Sequence, residues 1–275
     1  MNPFLEFAAG SVVGKNHLQL GRNNQDAYFL YRGQNVSIAV VADGCGSSPH
    51  SEFGAQLGVR LSMQTLLASY PLLDNHHPPP PEWWSLVTGR IVASLQVTIR
   101  NLSVDESLME LVRDYLLFTL VGVVVDAEYT TFFAAGDGVV LVNDEVHKLE
   151  AAGNAPAYIG YLALPSPPPM SLGLRPIVSL PTNELQRFAV ATDGAADLLE
   201  TTSKFLPGKD EPLMSLMQLC EFGPFFANPD RLRRYLALAN REVKRLDSQT
   251  GQLNTYHGHL VDDTTIVLGR TRKEN

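Results

Sequence analysis

The chain has 275 residues, 45% of them hydrophobic and 18% charged, with a formal net charge of -8. That is enough apolar material for a substantial buried core, and the acidic balance gives no electrostatic reason to bind nucleic acid or an anionic membrane. Only two cysteines occur, Cys45 and Cys220, so a disulfide framework is excluded and a reducing cytoplasm is the expected location.

The opening MNPFLEFAAG has neither the basic start nor the long apolar run of a signal peptide. Residues 36–42 (VSIAVVA) are β-branched and stop at Asp43-Gly44, which reads as a buried strand ending at a turn. Ser48-Pro49 offers a helix cap and a first-turn proline. Phe53, Leu57 and Leu61, continued by Leu66 and Leu67, suggest the buried stripe of that helix. Residues 71–82 (PLLDNHHPPPPE) read as a surface loop with solvated histidines. Further helices are expected over 81–102 and 105–116, the second with Leu108, Leu111, Val112 and Tyr115 on one face. The longest apolar stretch, 116–125, contains Thr119 and is too short to span a bilayer.

From Phe118 the pattern changes. LFTLVGVVV, TTFFAAG, VVLVN and EVHKL, separated by turn residues, predict a meander of antiparallel strands. Residues 150–175 are rich in Gly, Pro and Ala and read as a long irregular flap. RFAVAT at 187–192 predicts a strand that again stops at Asp-Gly (Asp193-Gly194), with a short helix, AADLLE, behind it. Residues 229–246 carry the clearest helical stripe: Leu232, Tyr235, Leu236, Ala239, Val243 and Leu246, opposite a solvated basic face. A last strand, TTIVLGR, follows Asp262-Asp263. No repeat or linker divides the chain, so 1–275 is expected to form a single domain. Segregated helix and strand groups argue for an α+β fold.

Aspartates recur at strand ends or turns: Asp26, Asp43, Asp137, Asp193 and the pair Asp262-Asp263. One Asp-Gly is ordinary turn chemistry. Several strands ending in aspartate differ if those ends converge, because ionised carboxylates repel and take up protons unless a cation sits among them. Hard oxygen donors suit Mg²⁺ or Mn²⁺ rather than zinc, and no Cys/His cluster with zinc spacing is present. Glycine after Asp43 lets the backbone come close enough for a carbonyl to join such a site.

The motifs NQDAYF (24–29), VADGCGSS (41–48), SEFGAQLGVR (51–60), FTLVGVVV (118–125), AAGDGVVLV (134–142), ATDGAADLL (191–199) and DDTTIVL (262–268) occur in the order seen in the type 2C metal-dependent protein phosphatases. The chain resembles that family over nearly its whole length, and GKNHLQLGRNNQDA is similar to the opening of a bacterial branch. The resemblance implies a four-layer α-β-β-α fold: a central sandwich of two antiparallel β-sheets flanked by helices on both outer faces. It implies two, or three, Mg²⁺ or Mn²⁺ ions, with Asp43 bridging two of them and the Gly44 carbonyl binding one. Asp193 and Asp262 would complete the second ion's shell, Asp26 would hold a bound water or sit just outside, and Asp137 would serve a third, weaker ion. Asp263 stands where the family has Asp or Asn and is expected to support the ligands. The implied reaction is hydrolysis of phosphoserine and phosphothreonine by a metal-bridging hydroxide. The implied partner is a phosphorylated protein made by a serine/threonine kinase and met by a monomer.

Several positions depart from the family. Arg22, four residues before Asp26, is one short of the usual spacing for the arginine that grips phosphate. Cys45 occupies the place where eukaryotic members carry a general-acid histidine; it reads as a small packing residue, and His17, His50 or water would donate the proton. Gly-Asp-Gly-Val at 136–139 replaces Gly-Asp-Ser-Arg. These departures keep two alternatives open: a catalytically weak type 2C-like signalling or phosphate-binding module, and a phosphatase for small metabolites.

Overall fold

Two five-stranded antiparallel sheets stack face to face in the structure, a computed structural model that describes residues 5–73, 77–103, 107–151, 156–168 and 173–271. One sheet has the order β1 (Leu5–Val12), β12 (Thr264–Thr271), β9 (Arg187–Ala191), β6 (Gly138–Val142), β7 (Glu145–Leu149). The other has the order β2 (Ala27–Arg32), β3 (Val36–Ala42), β4 (Leu120–Asp126), β5 (Tyr129–Ala135), β8 (Arg175–Pro181). Strands β3 and β4 are buried along their whole length because both faces are covered, which is why they read as continuous apolar runs rather than alternating ones.

Three apolar clusters fill the three interfaces of four layers. Phe7, Val41, Phe132, Val140, Phe188 and Val267 lie between the sheets. The β2–β8 sheet packs its outer face on α2 (Ser51–Ser69), α3 (Pro81–Leu102) and α4 (Leu108–Tyr115). The β1–β7 sheet packs on α5 (Leu216–Glu221), α6 (Gly223–Ala227) and α7 (Arg231–Asn240). A short helix, α1 (Lys15–Leu20), follows β1. The fold is the α-β-β-α sandwich of the α+β class that the sequence implied. Among the described residues no helix is long and apolar enough to cross a membrane.

Local readings needed correction in several places. Helix α2 starts at Ser51, not behind a Ser48 cap: the Ser48 hydroxyl donates to the Arg113 carbonyl at 2.6 Å, and the Ser48 amide closes a turn on the Cys45 carbonyl. Its buried face starts with small residues, Gly54 and Gly58 pressed on Phe118, and continues through Val59, Met63 and Leu66; Leu57 and Leu61 are partly buried, whereas Phe53 is 41% exposed. The expected meander is split between sheets. The β4–β5 hairpin belongs to one sheet and β6–β7 to the other, and the chain crosses at Gly136-Asp137-Gly138 with φ of 95° and 141° at the glycines.

His77 is not solvated: its Nδ1 lies 3.3 Å from Asp126 Oδ2 and its ring stacks on Tyr129, while residues 74–76 lie outside the described residues. The helix expected over 105–116 spans Leu108–Tyr115 behind a Ser107 capping box, and 104–106 lie outside the described residues. AADLLE is part of a 3-10 turn, Asp193–Leu198. The helix expected over 229–246 stops at Asn240, and Val243–Leu246 pairs as β10 with β11 (Leu253–Tyr256). One tertiary contact and one tight turn overrule the helical period there. Asn240 Nδ2 donates to the Val13 carbonyl at 2.7 Å, and Asp247 Oδ1 accepts from the Gln249 and Thr250 amides at 2.8 and 3.3 Å ahead of Gly251 at φ 69°.

The flap expected over 150–175 is partly anchored. Its 3-10 turn, Ile159–Ala163, buries Ile159 and Ala163 in the helix-side core, and the Ala163 carbonyl accepts from Gln96 Nε2 at 3.4 Å; residues 152–155 and 169–172 lie outside the described residues.

The contact of α2 with Phe118 predicts a contrast in stability. Phe118→Ala, at a fully buried ring, is expected to cost about 3–5 kcal/mol, and Phe53→Ala less than about 1.5 kcal/mol. Urea denaturation measures both; equal losses would contradict the assignment of the buried face.

Candidate metal centre

Strand register brings the aspartates together. In one sheet Ala27 pairs with Ala42, so Asp26, just before β2, faces Asp43, just after β3. In the other, Ala191 pairs with both Val139 and Ile266, so Asp193, Asp137 and Asp262 leave their strands at a common end. The crossover at Asp137 joins the two sheets at that end, where Gly136 packs on Thr119 and the Thr119 amide donates to the Asp43 carbonyl at 2.8 Å. Five carboxylates distant in sequence thus share one pole of the sandwich.

Gly44 is needed by close approach: a Cβ there would sit 2.7 Å from the Ser51 carbonyl oxygen and 2.8 Å from that of Gln25. The Gly44 amide donates to the Gln25 carbonyl at 3.1 Å, which locks the two acidic turns together.

The electrostatics follow from this crowding. Burial pushes the Asp26 carboxyl up to about 8, the Asp263 charge adds to the push, and the Thr192 hydroxyl opposes it by donating to Oδ2 at 2.7 Å. Burial, then the charges of Asp26, Asp193 and Asp262, push Asp43 well above the usual carboxylate range. Asp193 rises to about 6 through desolvation and the charges of Asp137 and Asp262; because the residue is exposed on its outer side, water tempers the desolvation share. Burial raises Asp137 as well. The charges that act most strongly on Asp43 are all carboxylates, so they repel rather than offset one another.

Two buried oxygens, Asp26 Oδ1 and Asp137 Oδ1, have no hydrogen-bond partner. Asp26 and Asp43 close on each other from the ends of paired strands. Two ionised carboxylates cannot bond, so that approach needs either a shared proton or a cation. Orphaned oxygens, like-charge crowding and an all-oxygen donor set fit Mg²⁺ or Mn²⁺.

Asp263 plays a different part from its neighbour. It is buried and its oxygens accept from the Gly14 amide at 2.7 Å, the Gln25 amide at 2.6 Å and His17 Nδ1 at 2.9 Å. His17, Asp262 and Asp263 bring one ligand atom each within 4.8 Å of one another, but these three donors already occupy the Asp263 oxygens. Exposed Arg22 donates from Nη1 to the Gly46 carbonyl at 2.8 Å, on the turn that carries Asp43. His50 stacks on Tyr115. Cys45 Sγ lies 3.2 Å from Ser47 Oγ.

Sequence reasoning missed Thr192 and Thr119 as supports of Asp26 and Asp43. The available signal was their position, Thr192 one residue before a strand-end aspartate and Thr119 immediately before β4.

The protein phosphatase 2C family model matches residues 13–221. No curated protein matches the chain. Solved structures of similar fold include a bacterial serine phosphatase, 13% identical with a TM-score of 0.58 over 98% of this chain and 99% of that one. They include PppA of Pseudomonas aeruginosa, 16% identical with a TM-score of 0.56 over 98% of each chain. The serine/threonine phosphatase Stp1 from Staphylococcus aureus is 14% identical with a TM-score of 0.55 over 98% of this chain and 96% of that one. At these identities the likeness is one of fold.

Raised carboxyls make the metal-free chain pH-sensitive with a definite sign. Asp26 and Asp193 sit above their usual value of 3.8 when folded, so their stabilising contribution is complete below that pH and is lost as pH rises through about 6 and about 8. With divalent cations chelated, the melting temperature is expected to fall from pH 5 to pH 8, and Asp26→Asn to flatten that fall. A melting temperature that rises across this range would contradict the electrostatics.

Proposed function

We propose that this chain, which belongs to the protein phosphatase 2C family, hydrolyses phosphoserine and phosphothreonine in proteins with the help of two divalent cations, Mg²⁺ or Mn²⁺. The observation that carries this reading is the gathering of Asp26, Asp43, Asp137, Asp193 and Asp262 at one pole, with two buried oxygens left unpartnered. Asp43 and the Gly44 carbonyl would hold one cation. Asp43, Asp193 and Asp262 would hold the other, and Asp137, alone on the crossover, a third and weaker one. When bound, such cations ease deprotonation of a water and offset charge on the phosphoryl oxygens.

The chain's own groups do the positioning. Thr192 holds the Asp26 carboxyl in place and Thr119 holds the Asp43 backbone. Asp263 ties the segments of Gly14, His17 and Gln25 to the Asp262 turn, so the opening of the chain sits against its last strand. His17, buried and bonded to Asp263, acts as a positioning group. Arg22, fixed at one nitrogen by Gly46, keeps the rest of its fork available for phosphate. No covalent phosphoenzyme is required, so Cys45 need not be a nucleophile. The 1–275 chain works as one domain, with the described 156–161 segment near Cys45, and its partner is the phosphorylated product of a serine/threonine kinase.

Hydrolysis of p-nitrophenyl phosphate and of a phosphoserine peptide, with and without Mn²⁺, tests this function. Activity is expected only with the cation. Asp43→Asn should lower kcat more than about a hundredfold, and Thr192→Val about 10–100-fold, as loss of a group supporting a ligand does. Turnover in chelator, or an Asp43→Asn variant as fast as the parent, would overturn the reading.

A further inference from the structure

We infer that Asn24, Ser11 and Thr265 are positioning residues: with Thr192 they close a ring of hydrogen bonds through Asp26 and decide which of its oxygens faces the cations. This rests on the metal reading above and adds the groups that set its geometry.

The ring runs bond by bond. The Asp26 amide donates to Asn24 Oδ1 at 3.0 Å. Asn24 Nδ2 donates to Ser11 Oγ at 2.7 Å, and Thr265 Oγ1 donates to the same oxygen at 2.6 Å. The Thr265 amide donates to Thr192 Oγ1 at 3.0 Å, and that hydroxyl returns to Asp26 by donating to Oδ2 at 2.7 Å. Strand register makes the closure possible. Ser11 and Thr265 are partners across β1 and β12, and the Thr192 amide donates to the Thr265 carbonyl at 3.0 Å. Ser11 of β1, Thr265 of β12 and Thr192 after β9 belong to one sheet and its end, and they reach the turn that precedes β2 of the other.

Donor and acceptor chemistry fixes the sense of each bond around Asp26. Only the oxygen of the Asn24 side chain can receive the Asp26 amide, so its NH2 group must face Ser11. Thr192 has one hydroxyl proton and spends it on Asp26 Oδ2. Asp26 is therefore gripped at its amide and at one carboxylate oxygen. The other oxygen, Oδ1, is buried without a partner and is the atom left for a cation or its bound water. Because the ring joins the two sheets, it also sets the Asp26 carboxyl against the strands that lead to Asp193 and Asp262. Ser11 and Asn24 act through other residues: Asn24 holds the Asp26 backbone, and Ser11 holds Asn24 and Thr265.

Calorimetric titration of the full chain with Mn²⁺ tests this, with thermal melting in chelator to check that each variant folds. Ser11→Ala and Asn24→Ala are each expected to weaken Mn²⁺ binding about tenfold, as loss of a partner behind a metal ligand does. The double variant should match the weaker single one to within about twofold, because one ring is broken only once. Ser11→Thr keeps the hydroxyl and should bind like the parent. Ser179→Ala is the structural comparison: it removes the bond from Ser179 Oγ to Thr131 Oγ1 at 3.1 Å, away from the acidic pole, and should leave Mn²⁺ affinity unchanged. In turnover of p-nitrophenyl phosphate, Ser11→Ala should raise the Mn²⁺ concentration at half-maximal rate more than it lowers the rate at saturating Mn²⁺. Mn²⁺ affinity unmoved by both alanine variants, additive losses in the double variant, a loss not recovered in Ser11→Thr, or an equal loss in Ser179→Ala would overturn the positioning role alone. A parent chain that binds no Mn²⁺ would overturn the metal reading, and the role of the ring with it.

Discussion

Crowded negative charge at one pole of the sandwich is the constraint on which the rest depends. Asp26 and Asp43 face each other because Ala27 pairs with Ala42, so their backbones cannot separate without breaking the β2–β3 ladder. Asp193, Asp137 and Asp262 are held by equally rigid register in the other sheet. A loop could relax such repulsion by swinging a side chain into water. Asp26, buried and held by Thr192, cannot, so its repulsion with Asp43 is built into the fold and is relieved by protons or by cations.

The sheets do more than carry ligands. Fully buried β3 and β4 form the stiff floor beneath Asp43, and the crossover at Gly136-Asp137-Gly138 links the two sheets at the acidic pole. Asp263 closes the arrangement from below. By accepting from the Gly14 and Gln25 amides and from His17, it fastens the opening of the chain to the segment that carries Asp262. Neighbouring residues of the same type therefore do opposite jobs: Asp262 stays exposed at the mouth, and Asp263 is spent on internal donors.

Much of the fold was legible because burial on both faces leaves a plain mark. VSIAVVA and LVGVVVD read as strands, and Trp84, Val87, Ile91 and Leu95 bury the face of a helix whose bounds matched the reading. The failures share a cause. Leu57 and Leu61 pack on the core as their spacing suggests, yet Phe53 at the head of the stripe stays exposed, and Gly54 and Gly58 make the close approach to Phe118, far along the chain. The stripe running to Leu246 has helical period, but Asn240 is drawn to Val13 and the Asp247 turn folds the next residues into a hairpin that leaves Leu246 69% exposed. In each case a tertiary partner or a tight turn outweighed local periodicity.

The amino-acid sequence by itself determined the fold class, the family and the set of strand-end aspartates, because buried strands and Asp-Gly turns are written locally. Tertiary structure alone decided that these aspartates meet, that Thr192 and Thr119 brace them, and that Asp263 faces inward while Asp262 faces out. It also brought Tyr158 and Cys45 to the walls of one cavity. Convergence of groups more than a hundred residues apart depends on strand register and sheet stacking, and neither is encoded within any one segment.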